Sequence, residues 1–156
     1  MPGASPPTGR SIIAVDVAVS AAAASPVSRA EAERLARAVL RAEGVKNAML
    51  SVAFVGRRRI RSLNRRHFGR DGETDVVAFA LVGVRGLVVG DVYCAPEVGV
   101  RRARRFGSSP REEVRRLVVH GVLHVLGYDH PEGGGRFASP MWRRQERLLA
   151  RLAGRR

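Results

Sequence analysis

The chain has 156 residues, of which 45% are hydrophobic, and this length suits a single domain that buries about two-thirds of its unfolded surface. It carries 28 basic residues against 14 acidic ones, a formal charge of +14, and Lys46 is its only lysine. A positive electrostatic field that comes almost wholly from arginine favours binding of a polyanion such as nucleic acid. Codon usage alone could also enrich arginine.

Several classes of protein are excluded by what the chain lacks. It contains no run of about 18 apolar residues, so we expect no membrane span. The single cysteine, Cys94, excludes an internal disulfide and suits the reducing cytoplasm. Asp16 interrupts the apolar N-terminal stretch, which argues against a signal peptide. We predict a disordered tail over residues 1–10, rich in proline and glycine, and one domain over residues 11–156.

The first predicted element is a strand over residues 12–19, where β-branched residues alternate with others. Ser28 and Glu31 then form a capping box, and the apolar stripe that follows predicts an amphipathic helix ending at Gly44. A second strand is predicted over residues 49–55.

An arginine-dense helix is predicted next over residues 57–67, with Ile60 and Leu63 facing inward and a positive outer face. The segments 74–81 and 87–94 are apolar and partly β-branched, and a glycine-bearing turn separates them. We therefore expect these two segments to form an adjacent pair of strands.

A further arginine-rich helix over residues 96–106 precedes the strongest helix signal in the chain. Ser109 is an N-cap followed by proline, and Glu112 completes a capping box. This helix can run to Leu126 and stop at Gly127. Because it is apolar on several sides, we expect it to be central to the fold.

The last predicted helix begins at residues 139–140, a serine and a proline. The order of elements predicts an α+β fold: a single compact domain with a small mixed sheet of about four strands, packed with helices. Its central helix would carry the histidines that we expect to bind a metal.

His120, His124 and His130 lie in the stretch HGVLHVLGYDH, which holds three of the four histidines in the chain. His120 and His124 are one helical turn apart, so they can present two ring nitrogens to one cation, and Gly127 allows the chain to return with His130. Three such ligands leave zinc an open fourth position, which is typical of a catalytic site. The alternative is two satisfied core histidines and one on the surface.

The same spacing, H-x₃-H-x₅-H, occurs in the metzincin zinc proteases, and Gly127 matches their glycine. Gly121, however, occupies the position where those proteases carry the glutamate that acts as general base. A metzincin-like protease is therefore disfavoured.

The stretch HGVLHVLGYDH resembles the signature H-G-x-L-H-x-x-G-y-D-H of the YbeY family of bacterial endoribonucleases. Three further segments resemble family blocks in the same order: Leu63-Asn64 with Thr74-Asp75-Val76-Val77-Ala78-Phe79, then Gly90-Asp91-Val92, then Met141 with Glu146. The resemblance implies one zinc ion held by His120, His124 and His130 and action on single-stranded RNA. It also implies a role in small-subunit ribosomal RNA 3′-end processing and in ribosome maturation and quality control.

The chain departs from the family pattern at three positions. Phe68 stands where the family has an arginine, Glu73 replaces a proline, and Ala78 replaces a serine. If the family arginine serves the phosphate, a neighbouring arginine has to replace it, namely Arg65, Arg66 or Arg70.

In the mechanism that we expect, zinc either activates a water molecule or polarises a phosphate oxygen, and arginine stabilises the charge that grows at phosphorus. Arg65 and Arg66 are the candidate arginines, although both could belong to a solvated helix face. Asp129 is the candidate carboxylate, and Asp75 and Asp91 could orient a ligand, accept a proton or merely cap a turn.

Two other residues are expected to stay outside the chemistry: His67 as a surface histidine and Cys94 as a buried small hydrophobe. The alternative function is a zinc-stabilised RNA-binding ribosome assembly factor with little or no hydrolytic activity. For either function we expect the ribosome or its proteins as partners, a cytoplasmic location and no membrane; the oligomeric state stays open, with a monomer favoured.

Overall fold

Four strands form one mixed sheet in the computed structural model, which describes residues 9–81, 85–131 and 133–153. The order across the sheet is β1-β2-β4-β3. β1 pairs with β2 and β2 with β4 in parallel, whereas β3 and β4 are antiparallel, as predicted for this adjacent pair. The strands are β1 (Ile12–Val19), β2 (Asn47–Phe54), β3 (Val76–Leu81) and β4 (Val88–Cys94).

In the described part of the chain, five α-helices and one short 3-10 helix accompany the sheet, and not all of them contact it directly. Ser28 caps the first α-helix, and Ser109 with Glu112 forms the predicted capping box of the fourth. The helices are α1 (Arg29–Ala42), α2 (Arg57–Phe68), α3 (Pro96–Phe106), α4 (Pro110–Val125) and α5 (Pro140–Ala153), and the 3-10 helix spans Gly133–Ala138. The predicted α+β class and the four-stranded mixed sheet are confirmed.

α4 is the central helix, as its apolar composition predicts. It contacts α1, α3, α5, β3 and β4, and half of its residues are buried. Gly121 allows α4 to lie close to the sheet, because a Cβ atom added there would be 2.3 Å from Cγ1 of Val92. Because α4 is packed by several other elements, side chains that project from its solvent-accessible side are held on a rigid helix.

α2 lies on the other face of the sheet. Val76 contacts the α4 face at Gly121, so its neighbour Val77 points the opposite way, where it packs with Ile60 and Leu63 of α2. These inward residues are the ones that the sequence predicts. The outer face of α2 carries only basic charge, from Arg57, Arg58, Arg59, Arg61, Arg65 and Arg66.

The start of β3 differs from the prediction. β3 begins at Val76 rather than at the predicted residue 74, because the Thr74 hydroxyl donates to the Val76 carbonyl and the Asp75 carbonyl accepts from Ala95 N–H. Of the predicted disordered tail, residues 1–8 lie outside the described residues. In the described part of the chain, no helix combines the length and apolarity that crossing a bilayer requires.

Candidate metal centre

The end of α4 brings the three histidines together. His120 and His124 project from the same side of the helix, one turn apart. Beyond them, Gly127 has a φ of +96°, its N–H donates to the His124 carbonyl, and Tyr128 N–H donates to the Leu123 carbonyl. This pair of bonds is a Schellman motif, which reverses the chain and returns His130 to the first two rings.

The three Nε2 atoms converge on one point. His120 Nε2 lies 3.0 Å from His124 Nε2 and 3.2 Å from His130 Nε2. Among the described residues, His120, His124 and His130 are the group whose ligand atoms all lie within 4.8 Å of one another. Three nitrogens around a tetrahedral zinc ion with bonds of about 2.0–2.1 Å would be about 3.3 Å apart, so the spacing suits such an ion.

Each ring is oriented by an oxygen at its other nitrogen. His120 Nδ1 lies 2.7 Å from Gln145 Oε1, His124 Nδ1 is 3.0 Å from the Tyr128 carbonyl, and His130 Nδ1 is 2.9 Å from the Pro131 carbonyl. Carbonyl oxygens only accept hydrogen bonds, so each Nδ1 carries the proton. All three Nε2 atoms therefore carry lone pairs that point toward one another. A bound cation would stabilise this arrangement.

The rings of His120 and His124 also stay neutral, as metal ligands must be. The pKa of His120 falls to about 3, mainly because the ring is buried and also because of the neighbouring His124. The pKa of His124 is lowered as well, again mainly by burial. Neither ring has to lose a proton at neutral pH before it can bind a cation.

A chain of side chains from α5 supports His120 from behind. Gln145 is fully buried, and its amide also donates to Oε1 of Glu146. Glu146 in turn pairs with Arg116 through two contacts, at 2.7 and 3.3 Å. The resemblance singled out Glu146, yet it is the adjacent Gln145 that contacts the histidine.

The histidines open into a cleft of about 580 Å³. Its wall combines the Nε2 atoms with arginine, carboxylate and aromatic side chains, so a charged polymer could lie across it. The residues that line the cleft include His120, His124, His130, Asp75, Asp129, Asn64, Phe68, Arg70, Tyr128 and Arg136.

Gly121 is explained by packing. A Cβ atom at this position would point at Val92 and Val76 of the sheet, not into the cleft. A glutamate there would have to enter the contact between α4 and β4. The absence of the protease base thus follows from how α4 lies on the sheet.

The three predicted aspartates have different positions. Asp129 lines the cleft, is exposed, and accepts the His130 backbone N–H at 2.8 Å through Oδ1. Asp75 also lines the cleft but forms an ion pair with Arg102. Asp91 accepts the Ser51 hydroxyl at 2.7 Å and alternates with residues that face α4, so it lies on the other face of the sheet.

The predicted arginines Arg65 and Arg66 are exposed on α2 and are not among the residues that line the cleft. The cleft contains Arg70 and Arg136 instead. Phe68, at the position of the family arginine, lines the cleft and stacks on Phe79 with ring centroids 5.8 Å apart. A catalytic role for Arg65 and Arg66 stays a prediction.

The remaining two expectations agree with the structure. His67 is exposed and packs edge-on against Phe79 at 4.7 Å. Cys94 is fully buried, and burial raises the pKa of its thiol far above the usual range. Cys94 does not belong to the histidine group among the described residues.

Sequence reasoning missed two residues of the site. Gln145 interrupts the apolar stripe of α5 between Met141 and Leu148, and a polar residue at such a position signals a buried partner. Arg136 follows three glycines in the short 3-10 helix, whose sequence has no hydrophobic periodicity that would indicate which way the side chain points. Only its contacts in the folded chain assign it to the cleft.

Together these features define an α+β protein in which three histidines could hold a metal ion within an open, polar cleft. The family model described as "Endoribonuclease YbeY" matches residues 18–153. Curated proteins named "Endoribonuclease YbeY" are similar as well. The protein from Aquifex aeolicus is 40% identical over 69% of this chain and 73% of its own length. The protein from Pelotomaculum thermopropionicum is 40% identical over 76% of this chain and 82% of its own length.

A third relative, from an Anaeromyxobacter species, is 41% identical over 83% of this chain and 68% of its own length. The solution structure of a Thermotoga maritima protein is similar in fold, with a TM-score of 0.58 at 24% identity, over 90% of this chain and 89% of that one. The chain belongs to the YbeY endoribonuclease family.

Proposed function

We propose that the chain is a zinc-dependent endoribonuclease of single-stranded RNA that acts in small-subunit ribosomal RNA 3′-end processing and in ribosome maturation and quality control. The observation that carries the proposal is the convergence of three Nε2 lone pairs in an open cleft. Family membership supports RNA as the substrate, and the net charge of +14 suits a polyanion.

His120, His124 and His130 would hold the zinc ion, which when bound would polarise the scissile phosphate or activate water. Imidazole nitrogens suit zinc among the divalent ions, and three ligands leave it a position for substrate. The side chains around the site then have to bind the strand, orient it and handle protons.

Asp129 is the proposed proton acceptor. Its Oδ1 accepts the His130 N–H, which fixes the carboxylate beside the histidines, and its Oδ2 can take a proton in the cleft. Arg65 and Arg66 are proposed as contacts to the RNA backbone next to the cleft, since their neighbours Asn64 and Phe68 line it.

We further propose that the protein acts as a monomer in the cytoplasm, where it meets the ribosome or ribosomal proteins. The buried, reduced Cys94 suits that compartment. The arginine face of α2 is a surface of the right charge for structured RNA.

The test is cleavage of an end-labelled single-stranded RNA by zinc-loaded protein, with His124→Ala purified identically. His67→Ala is the matched control, because His67 is the histidine outside the cleft. We expect the wild type and His67→Ala to cut and His124→Ala to bind RNA without cutting.

Equal cutting by all three proteins would indicate a contaminating nuclease. If wild-type protein binds RNA, is stabilised by zinc and does not cut, the nuclease proposal fails. The assembly-factor alternative would then be the function.

A further inference from the structure

Arg136 adds a positive charge to the cleft that the histidines line. It lies in the 3-10 helix Gly133–Ala138 and lines the histidine cleft. It also lines a small adjoining cavity shared with His120, Gln145 and Trp142. Arg136 therefore shares this cavity with the ring that Gln145 orients.

The guanidinium is held in place by aromatic rings. Its carbon lies 5.0 Å from the ring centroid of Phe137 and 5.9 Å from that of Trp142, which are cation–π distances. The Arg136 carbonyl accepts both the N–H and the hydroxyl of Ser139, at 3.1 and 2.6 Å, and this anchors the backbone at the start of α5. Arg136 is thus positioned before any ligand arrives.

Among the residues that the structure describes, no carboxylate pairs with this cation. Within the described ranges, the Arg136 guanidinium makes no hydrogen bond or ion pair, and its Nε is buried without an acceptor. The nearby arginines differ, since Arg102 pairs with Asp75 and Arg116 pairs with Glu146. A buried N–H donor without an acceptor is costly, so Arg136 has a strong preference for an anionic oxygen.

We propose that Arg136 binds a non-bridging phosphate oxygen of the RNA strand in the histidine cleft, so that it is a substrate-binding catalytic residue. The proposal rests on the proposed function, because the anion is taken to be RNA. Arginine presents a planar fork that matches two phosphate oxygens, and a preorganised cation there stabilises charge that develops at phosphorus.

Arg136 belongs to a different element from Arg65 and Arg66, which the sequence indicates as phosphate contacts. Arg65 and Arg66 do not line the cleft, and position 68 carries a phenylalanine. Arg136 supplies the positive charge from the 3-10 helix after His130 rather than from α2. The competing interpretation is that Arg136 only packs Phe137 and Trp142 together.

The experiment measures the affinity of zinc-loaded protein for a labelled single-stranded oligoribonucleotide across a salt series. The variants are Arg136→Gln and Arg136→Lys. The matched control is Arg147→Gln, which makes the same charge change at an exposed residue of α5 that is not among the residues lining the cleft.

For Arg136→Gln we expect RNA affinity at low salt to fall about 10- to 100-fold, as for loss of a charged hydrogen bond. The slope of log affinity against log salt should fall by about 0.7, which corresponds to one lost phosphate contact. Arg136→Lys should keep the slope but bind more weakly. Zinc content should stay unchanged in all variants, which a purely structural role at the site would not explain.

If Arg136→Gln and Arg147→Gln show the same slope and affinity, the proposal is overturned and Arg136 is a packing residue. Should the glutamine variant not fold, Arg136→Lys and Arg147→Lys give the same comparison through affinity. If the wild type binds RNA without cutting it, only the nuclease proposal fails, and the salt slope still decides the role of Arg136. If the wild type does not bind RNA, both fail.

Discussion

Replacing Gln145 with leucine tests how the metal site is held. Gln145 is fully buried, and its Oε1 lies 2.7 Å from His120 Nδ1. Leucine has a similar volume but no polar atom, so Gln145→Leu leaves the buried Nδ1 of His120 without a hydrogen-bond partner. That loss costs about 1–3 kcal/mol of stability.

The larger consequence is for the tautomer of His120. Without Gln145 the ring proton can move to Nε2, where it can donate to His124 Nε2 only 3.0 Å away. That hydrogen bond stabilises the metal-free protein and occupies the lone pair that a metal needs. We expect zinc affinity to fall about 10- to 100-fold, or about 1.4–2.7 kcal/mol.

A competition titration against a chromophoric zinc chelator measures this affinity directly, and thermal melting of metal-free protein measures the stability cost. Leu148→Val is the control, because Leu148 is a buried core residue of α5 that is not among the residues lining the cleft. It should lower stability and leave zinc affinity nearly unchanged. If Gln145→Leu binds zinc as tightly as the wild type, the argument that Gln145 fixes the tautomer is wrong.

Three further predictions concern stability and reactivity. Gly121→Ala should destabilise the protein by about 1–3 kcal/mol and lower the midpoint of thermal unfolding, because the new methyl would overlap Val92 at 2.3 Å; an unchanged midpoint would contradict the close contact. The pKa of His120 is about 3 when folded and about 6.5 when unfolded, so the metal-free protein should lose up to about 1.4 kcal/mol per pH unit as pH falls between these values. Urea unfolding across that range tests this, and a flat response would refute it. Cys94 should resist thiol reagents until the protein unfolds, because it is buried and its thiol pKa is raised; labelling of native protein at the rate of a free thiol would show otherwise.

Much of the fold could be predicted from sequence because its signals are local. β1 and α3 have the predicted bounds, and α4 begins after Ser109 where the capping box predicts. Capping, periodicity and glycine at a helix end depend on neighbours along the chain, so they can be read without the tertiary structure. The cluster of three histidines was predicted for the same reason, since i,i+4 spacing and Gly127 are local features.

The order of the strands was not predictable in this way, because β4 lies between β2 and β3 through contacts distant in sequence. Nor was the distribution of arginines: periodicity placed Arg65 and Arg66 on an outer face but could not show which arginine enters the cleft.

By itself, the sequence determined the elements, the cluster of three histidines and the family, because each depends on short-range pattern. Only the tertiary structure decided that Gln145 orients His120, that Asp91 lies on the far face of the sheet, and that Arg136 joins the cleft. Those three outcomes depend on how α4, α5 and the sheet pack, and packing brings together residues that no sequence spacing connects.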